Sequence, residues 1–361
     1  MEQSTPPASL RHRIAALVTA RAAMQSGDTV IVAVSGGPDS VALLHILCSS
    51  LPQVKFVAVY VDHGLRPEET GAEIELVQAL ALRLQAGFER ISVDVRNTAQ
   101  QEKKSIEETA RTLRYGELEA IRQKYQGTAI AVAHTADDQA EELLIRLIRG
   151  SGRKGLSGMQ FKNGWIIRPL LHEKKETLLH YLQTEKIPFA IDSSNLERTY
   201  LRNRVRLDLL PYLQDHFNKS IRQTLLQTAQ ILEDEEALLE EIADKAWQEV
   251  AHVIAIEPAP PEAPSHIIRI DTIEFCKCHP ALQRRILEKC CWQMEARPQF
   301  RQISLLLDLM LTGQTGAQIH LSKGLRVHKT RQGVVFSYPV GKCNYRGGVT
   351  GESNNGALKS D

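Results

Sequence analysis

The sequence predicts an α/β protein: a parallel sheet covered by helices on both faces, followed by a smaller, mainly helical domain. Three observations predict it. Runs that are apolar throughout, such as Thr29–Val34 (TVIVAV) and Lys55–Val61 (KFVAVYV), read as strands buried on both faces. Segments of helical spacing separate them, as parallel pairing requires. Beyond about residue 215 the alternation gives way to one long helical pattern, Ser220–Ala251.

In chain order, Thr29–Val34 ends in a Gly-Gly turn and Val41–Cys48 takes up helical spacing. Lys55–Val61 is the second strand, and Glu68–Leu84 a helix whose acidic start suits its N-terminal dipole. Arg90–Val95 is the third strand. Ser105–Tyr125 is a helix with Ser105 and Glu108 in capping-box spacing. Ala129–Ala133 is the fourth strand, followed by a helix over Asp137–Arg149. Ile166–Leu171 is a weaker strand and Lys174–Glu185 a short helix. In the long helix Leu225, Leu232, Leu239 and Ala246 recur every seven residues, and Glu233, Asp234, Glu235, Glu240 and Asp244 read as a solvated face. Ala281–Glu295 and Gln302–Leu311 are helices, and Gln318–Leu321 with Val334–Ser337 is expected to form a small hairpin. The expected division is 1–215, then a helical domain over 216–340 with a Pro-rich loop at 257–264, then a disordered tail over 341–361.

A chain of 361 residues has room for two or three domains. Its 43% hydrophobic and 24% charged content excludes collagen, a disulfide scaffold and a wholly disordered chain. Lys and Arg number 44 against 43 Asp and Glu, so any nucleic-acid surface must be a local patch. Six cysteines without a CxxC pair point to a reducing compartment. The sequence has neither a signal-peptide core nor a long enough apolar run to span a membrane, so a cytoplasmic protein is expected.

The strongest local signal is Ser35-Gly36-Gly37-Pro38-Asp39-Ser40 between a strand and a helix. Two glycines permit positive φ and close backbone approach, and the helix start offers unpaired N–H groups. That is a cradle for a phosphate or pyrophosphate. It is not a Walker A loop, because no Lys follows a second glycine. Gly150–Gly155 fits GxGxxG but follows a helix, so it reads as a mobile loop over the main site.

SGGxDS closing a first strand resembles the PP-loop of the N-type ATP pyrophosphatases. The series continues with Asp62-His63-Gly64-Leu65-Arg66, Glu107–Arg111 with Arg114-Tyr115, His134–Glu141, Arg149–Gly152, Arg168–Leu171, Asp192–Asn195 and Arg202–Arg206. In this order it resembles the tRNA(Ile)-lysidine synthetase family, densely over about residues 25–215. The resemblance implies a Rossmann-like PP-loop catalytic domain over 1–215 and tRNA or substrate binding by the region after it. It implies ATP-dependent attachment of free L-lysine to C2 of the wobble cytidine of an isoleucine tRNA with a CAU anticodon. Glu142, where the family often has Thr, and Phe161, where Pro is common, depart from the pattern. The short C-terminal part implies that the family's extra tRNA-binding domain is missing or reduced. The sequence allows a homodimer without demanding one.

Residue chemistry gives each position a role to test. Ser35, Gly36, Gly37, Pro38, Asp39, Ser40, Asp62 and His63 are the ATP-binding candidates. Asp39, beside a triphosphate, suits a Mg²⁺ ligand, or else caps the helix. Asp62 and His63 end a strand on the adenosine side, or are turn residues. His134, Asp137, Asp138 and Glu141 fall at i, i+3, i+4 and i+7, on one helix face that suits a lysine ammonium. His134 would position or deprotonate it. The alternative is an acidic helix start favouring the dipole. Arg111 and Arg114, one turn apart, suit an α-phosphate or an RNA backbone, or pair with Glu107 or Glu108. Arg111 joins Asp39, His134 and Asp137 as a catalytic candidate. Arg114, Asn195, Arg198, Arg202, Asn203 and Arg206 are the tRNA-binding candidates, against a solvated basic face. Cys276, Cys278, Cys290 and Cys291 read as structural thiols rather than a zinc site.

Overall fold

The computed structural model describes residues 7–65, 67–190, 201–255, 266–338, 343–344 and 348–349. Asn195 and Arg198, the Pro-rich loop at 257–264 and most of the 341–361 tail lie outside them. The chain forms two compact units, Met1–Asp234 and Glu235–Asp361. The division falls inside a helix, Ile221–Val250, rather than at 215/216. The first turns of that helix bring Ile221 and Leu225 onto a cluster of Leu144, Ile145, Val205 and Leu210, which ties them to the first unit.

The first unit holds α1 (Pro7–Ala22), β1 (Thr29–Ala33), α2 (Pro38–Ser50), β2 (Lys55–Asp62), α3 (Pro67–Arg83) and β3 (Gly87–Ser92). It continues through α4 (Val95–Glu102), α5 (Ile106–Lys124), β4 (Ala129–Ala131), α6 (Ala136–Ile148), α7 (Arg153–Leu156), β5 (Lys162–Asn163), β6 (Ile166–Ile167) and α8 (Lys175–Thr184). α9 (Leu201–Arg204), a π-helical turn over Val205–Leu209, α10 (Leu210–His216) and the start of α11 (Ile221–Val250) complete it.

The sheet order is β3-β2-β1-β4-β6-β5, parallel except at the β5 edge. β1 has β2 on one side and β4 on the other, with Val30 facing Phe56 and Ala129 in register. Both faces are apolar. Val30 and Val32 pack into one core with Leu43, Leu47 and Tyr181, while Ile31 and Ala33 pack into the other with Leu118 and Ile130. Such a sheet binds ligands outside the carboxyl ends of its strands where the order reverses, here after β1 and β4.

Two elements differ from expectation. The third strand begins at Gly87, and Val95 opens α4, because the Asp94 carboxylate accepts from Asn97 N at 3.1 Å and caps a helix there. The 150–155 loop is tied to α6 at its far end. The Arg146 guanidinium donates to the carbonyls of Gly155 and Gly158 at 2.6 and 2.8 Å. Gln139 exchanges two hydrogen bonds with the Met159 backbone beneath Gly158, whose φ is +76°.

The second unit contains the rest of α11, then β7 (Ala251–Ala255), β8 (His266–Asp271), α12 (Thr272–Lys277), α13 (Pro280–Gln293), α14 (Phe300–Thr312), β9 (Gln318–His320), β10 (Arg326–Lys329) and β11 (Gly333–Ser337). The expected hairpin does not form: β9 and β11 do not pair with each other. β10 lies between β9 and β11 in an antiparallel sheet of order β7-β8-β11-β10-β9. Its core packs Ile268, Phe275, Leu287, Cys290, Cys291 and Phe336. Burial pushes the Cys290 and Cys291 thiols up, the latter to about 12, as buried structural thiols require. Among the described residues no His, Cys, Asp or Glu group is arranged to hold a metal, and no helix is long and apolar enough to cross a membrane.

Along α11 the most buried residues are Ala229, Glu236, Ala243 and Val250, one seven-residue line, whereas Leu225, Leu232 and Leu239 are half-buried. The acidic side is not simply solvated: Glu236 and Glu240 pair with Arg285, and Asp244 with Lys289.

Candidate active site

The turn after β1 is built by its own hydroxyls. Gly36 takes φ +84°, with Glu73 directly beneath, so a side chain there is strained. Gly37 caps α2 in an extended conformation, and Pro38 occupies the first helical position, where no N–H is needed. Ser40 Oγ donates to the Gly37 carbonyl at 2.9 Å and accepts from Ser35 N at 3.2 Å. Ser40 therefore staples the turn, while Ser35 is exposed at its rim. Pro38 is followed by N–H groups of the first helical turn that have no helical partner.

Asp39 stands at this turn with its two oxygens in different situations. Oδ2 lies 3.2 Å from the Lys175 ammonium. Oδ1 is buried and has no hydrogen-bond partner among the described residues. Burial pushes the Asp39 carboxyl up, with Lys175 opposing and Asp138 reinforcing that shift.

α6 starts after β4 with a capping box. Thr135 N and Oγ1 donate to Asp138 Oδ2 at 2.9 and 2.7 Å, and Asp138 N returns a bond to Thr135 Oγ1. The other oxygen of Asp138 faces Arg206 at 3.2 Å, Arg202 at 3.4 Å and Lys175 at 3.8 Å. Burial works to raise the Asp138 pKa, but Lys175, Arg202 and the Thr135 bonds hold it well below the carboxylate range. Glu141, fully buried, is gripped by Arg206 Nε at 2.6 Å and Arg202 Nε at 3.0 Å. Asp137 is the most open of the three carboxylates. It accepts from Lys175 N at 2.9 Å and Arg222 Nη1 at 3.2 Å.

His134 is half-buried, and its Nδ1 accepts from Arg168 Nε at 3.2 Å. Burial first, then the charges of Arg168, Arg202 and Arg114, push its pKa down to about 3 against the pull of Asp138. The imidazole is neutral near pH 7, with its Nδ1 lone pair engaged and the proton on Nε2. A neutral imidazole with its Nδ1 engaged offers Nε2–H as a hydrogen-bond donor.

The remaining candidates separate. Asp62 is occupied as a turn residue: it accepts from Gly64 N at 2.9 Å and pairs with Arg90 at 2.9 Å, with half-buried His63 next to it. Arg114 is half-buried and pairs with no carboxylate among the described residues; burial lowers its pKa. Arg111 is exposed and stacks on Tyr115 at 5.1 Å. Neither arginine pairs with Glu107 or Glu108. Asn203 is half-buried beside Arg202 and Arg206, which turn inward to α6 rather than forming a solvated basic face. Of the two family departures, Glu142 pairs with Arg146 at 2.7 Å and Phe161 is core.

Lys175 was missed by sequence reasoning, although it links the turn after β1 to the start of α6. Its signal was present: Lys174 and Lys175 open a helix, where the dipole disfavours cations unless carboxylates face them. The edge as a whole holds four carboxylates, Asp39, Asp137, Asp138 and Glu141, laced by Lys175, Arg202, Arg206 and Arg222. A cavity of about 460 Å³ lies at the opposite edge, beside Thr29, Lys55 and Gly87, where strands begin.

Residues 8–213 match the family described as a PP-loop domain. The chain is 36% identical over 228 residues to the tRNA(Ile)-lysidine synthase of Clostridium acetobutylicum, 62% of this chain and 50% of that protein. It is 31% identical over 343 residues to the tRNA(Ile)-lysidine synthase of Geobacter sulfurreducens, 93% of this chain and 71% of that protein. The chain thus spans about half to seven-tenths of the length of these relatives. Its fold is similar to that of the U34-tRNA thiolase NcsA from Methanococcus maripaludis (TM-score 0.53, 15% identity, 63% of this chain and 80% of that one).

Proposed function

Because the chain belongs to the tRNA(Ile)-lysidine synthase family of PP-loop proteins, we propose that it joins free L-lysine to C2 of the wobble cytidine of isoleucine tRNA with a CAU anticodon, using ATP. One observation carries the reading at the level of the site. A primary ammonium, that of Lys175, already sits between Asp39 of the PP-loop and Asp138 of the acidic helix start. That is the chemistry by which a substrate lysine would be held beside a nucleotide.

In the first step the cytidine O2 attacks the α-phosphorus of ATP. The bond to the β-phosphate oxygen breaks, and pyrophosphate leaves into the Ser35–Ser40 turn, where helix N–H groups offset its charge. Arg114, half-buried and without a carboxylate partner among the described residues, and Arg111 are suited to the α-phosphate. In the second step the ε-amine of lysine attacks C2, and AMP departs with the O2 electrons. An ammonium has no lone pair, so it must first lose a proton. Asp137, the most open carboxylate on the α6 face, is the group placed to accept that proton, and the freed amine lone pair then attacks C2. Asp138, Glu141 and neutral His134 complete the lysine pocket, with Lys175 yielding its place. Arg202, Asn203 and Arg206 follow on from it and, together with Asn195 and Arg198, are the proposed contacts for the anticodon loop.

The orphaned Oδ1 of Asp39 fits a hard cation, and Mg²⁺ held there would neutralise phosphate charge. Thiolation of tRNA, the activity in the name of the NcsA neighbour, fits poorly. Cys48 is the only cysteine before residue 235, it lines the opposite edge of the sheet, and burial pushes its thiol up to about 12.

The test is incubation with ATP, labelled lysine and CAU-anticodon isoleucine tRNA. Label in the tRNA with stoichiometric AMP supports the reading; ATP binding without any labelled tRNA refutes it.

A further inference from the structure

The corner between α10 and α11 carries three exposed rings in a chain where aromatic residues are only 5%. Tyr212 is 54% and Phe217 72% exposed, and His216 is also on the surface. Tyr212 packs against the other two: its ring centroid lies 4.6 Å from His216 and 5.8 Å from Phe217. The apolar side of the same helix is satisfied elsewhere, Leu210 and Leu213 packing against Leu144, Ile145 and Val205. The rings are therefore not displaced core residues.

Two features fix where this corner stands. Arg206, just before α10, holds Glu141 at 2.6 Å, and Arg222, just after the corner, holds Asp137 at 3.2 Å. Both arms of the corner are thus anchored to the acidic face of α6. Arg204 and Lys219, on either side of the rings, are exposed and pair with no carboxylate among the described residues; Asp215 is the acidic group exposed between them. Exposed π faces flanked by free cations suit unpaired nucleotides, whose bases stack on aromatic rings while their phosphates meet cations.

The geometry points to Tyr212, His216 and Phe217 as a stacking platform for an unpaired nucleotide of the RNA loop that delivers the target base. This rests on the proposed function, since it deepens the contact with the same RNA substrate. A loop base stacked here would let its neighbour be turned toward the α6 carboxylates while the loop stays held.

Binding of a hairpin RNA with a CAU-containing loop to the full chain tests it. Tyr212→Ala and Phe217→Ala should each weaken binding on the order of 10-fold and raise the KM for tRNA alike. The slope of log K against log salt should be retained, since no phosphate contact is removed. Tyr212→Phe and Phe217→Trp keep a π face and should retain wild-type affinity, which separates stacking from loss of structure. Unchanged hairpin affinity in both alanine variants overturns the platform while leaving lysidine formation by the wild type intact. Unchanged affinity with a shifted sedimentation coefficient assigns the rings to contact between copies of this chain and also overturns it. A wild-type chain that binds no RNA overturns both the platform and the proposed function.

Discussion

The two units each bury an Arg–Glu pair, and the contrast between the pairs shows how to tell a site from a strut. In the second unit Arg285 holds Glu236 at 2.6 and 2.8 Å across two helices, and the adjoining pairs with Glu240 and of Lys289 with Asp244 grade outward to solvent. Every charge there has its counterpart, and an apolar core lies beneath. In the first unit Arg202 and Arg206 hold Glu141, but the network does not close on itself. It runs through Asp138 and Lys175 to one oxygen of Asp39, whose other oxygen, Oδ1, is buried with no partner among the described residues. Burying a carboxylate oxygen without a partner is costly, and proteins keep such groups where a ligand will complete them. A closed network stabilises; an open one at the carboxyl edge of a parallel sheet binds.

The largest expected effect falls on the open end. Asp39→Asn should lower kcat/KM by roughly 10³-fold if Asp39 holds the cation that offsets phosphate charge. It should not lower stability. The folded-state pKa of Asp39 is raised, so its ionised form is disfavoured by folding at pH 7, and the amide removes that cost. Steady-state kinetics with a urea titration checks both, and a large stability loss would place Asp39 among the struts.

Next come the two buried glutamates. Glu141→Gln and Glu236→Gln should each destabilise by about 2–3 kcal/mol, because each leaves guanidinium charge with a neutral partner; the partial exposure of the arginines keeps the figure below that for a fully buried pair. The pairs differ in activity: Glu141→Gln should lose lysine transfer at temperatures where it remains folded, and Glu236→Gln should retain it. Equal activity in the two variants would erase the distinction drawn here.

A smaller effect is pH-dependent. The His134 pKa is lowered from 6.5 to about 3. The unfolded chain therefore binds a proton that the folded one rejects between these limits. His134 thus contributes stability that is full above pH 6.5 and declines by up to about 1.4 kcal/mol per pH unit as the pH falls toward 3. Urea midpoints of wild type and His134→Gln between pH 4 and 7 should converge as acidity rises, the wild type falling more steeply. Parallel curves would mean that burial, with Arg168, Arg202 and Arg114, does not suppress the imidazolium. The smallest effect is expected at the exposed Lys245–Glu241 pair, where Glu241→Gln should leave the urea midpoint unchanged.

The parts of this arrangement written in short stretches of chain were legible in the sequence. The glycine turn between an apolar strand and a helix, and the acidic start of α6, were readable because backbone conformation and burial on both faces each leave a local signature. The reading was weaker where partners come from afar. Asp138 and Glu141 looked like an unscreened acidic face, and Arg202 and Arg206 like a separate basic one. Their i, i+4 spacing was visible, but not that it would lie along Glu141. Lys175 gave only the anomaly of a cation at a helix start. In α11, leucines at seven-residue spacing outweighed a line of Ala229, Glu236, Ala243 and Val250, because Glu236 is buried by an arginine that periodicity does not see. The antiparallel sheet of the second unit was underestimated, since strands such as His266–Asp271 are short and only half-buried.

The most direct measurement is a crystal structure of the chain with a non-hydrolysable ATP analogue, Mg²⁺ and L-lysine. The terminal phosphates should lie over Ser35–Ser40 and the lysine ε-nitrogen within about 4 Å of a carboxylate on the Asp137–Glu141 face, with Lys175 moved from between Asp39 and Asp138. A nucleotide seated instead in the cavity beside Thr29 and Lys55, or a lysine bound away from α6, would contradict it.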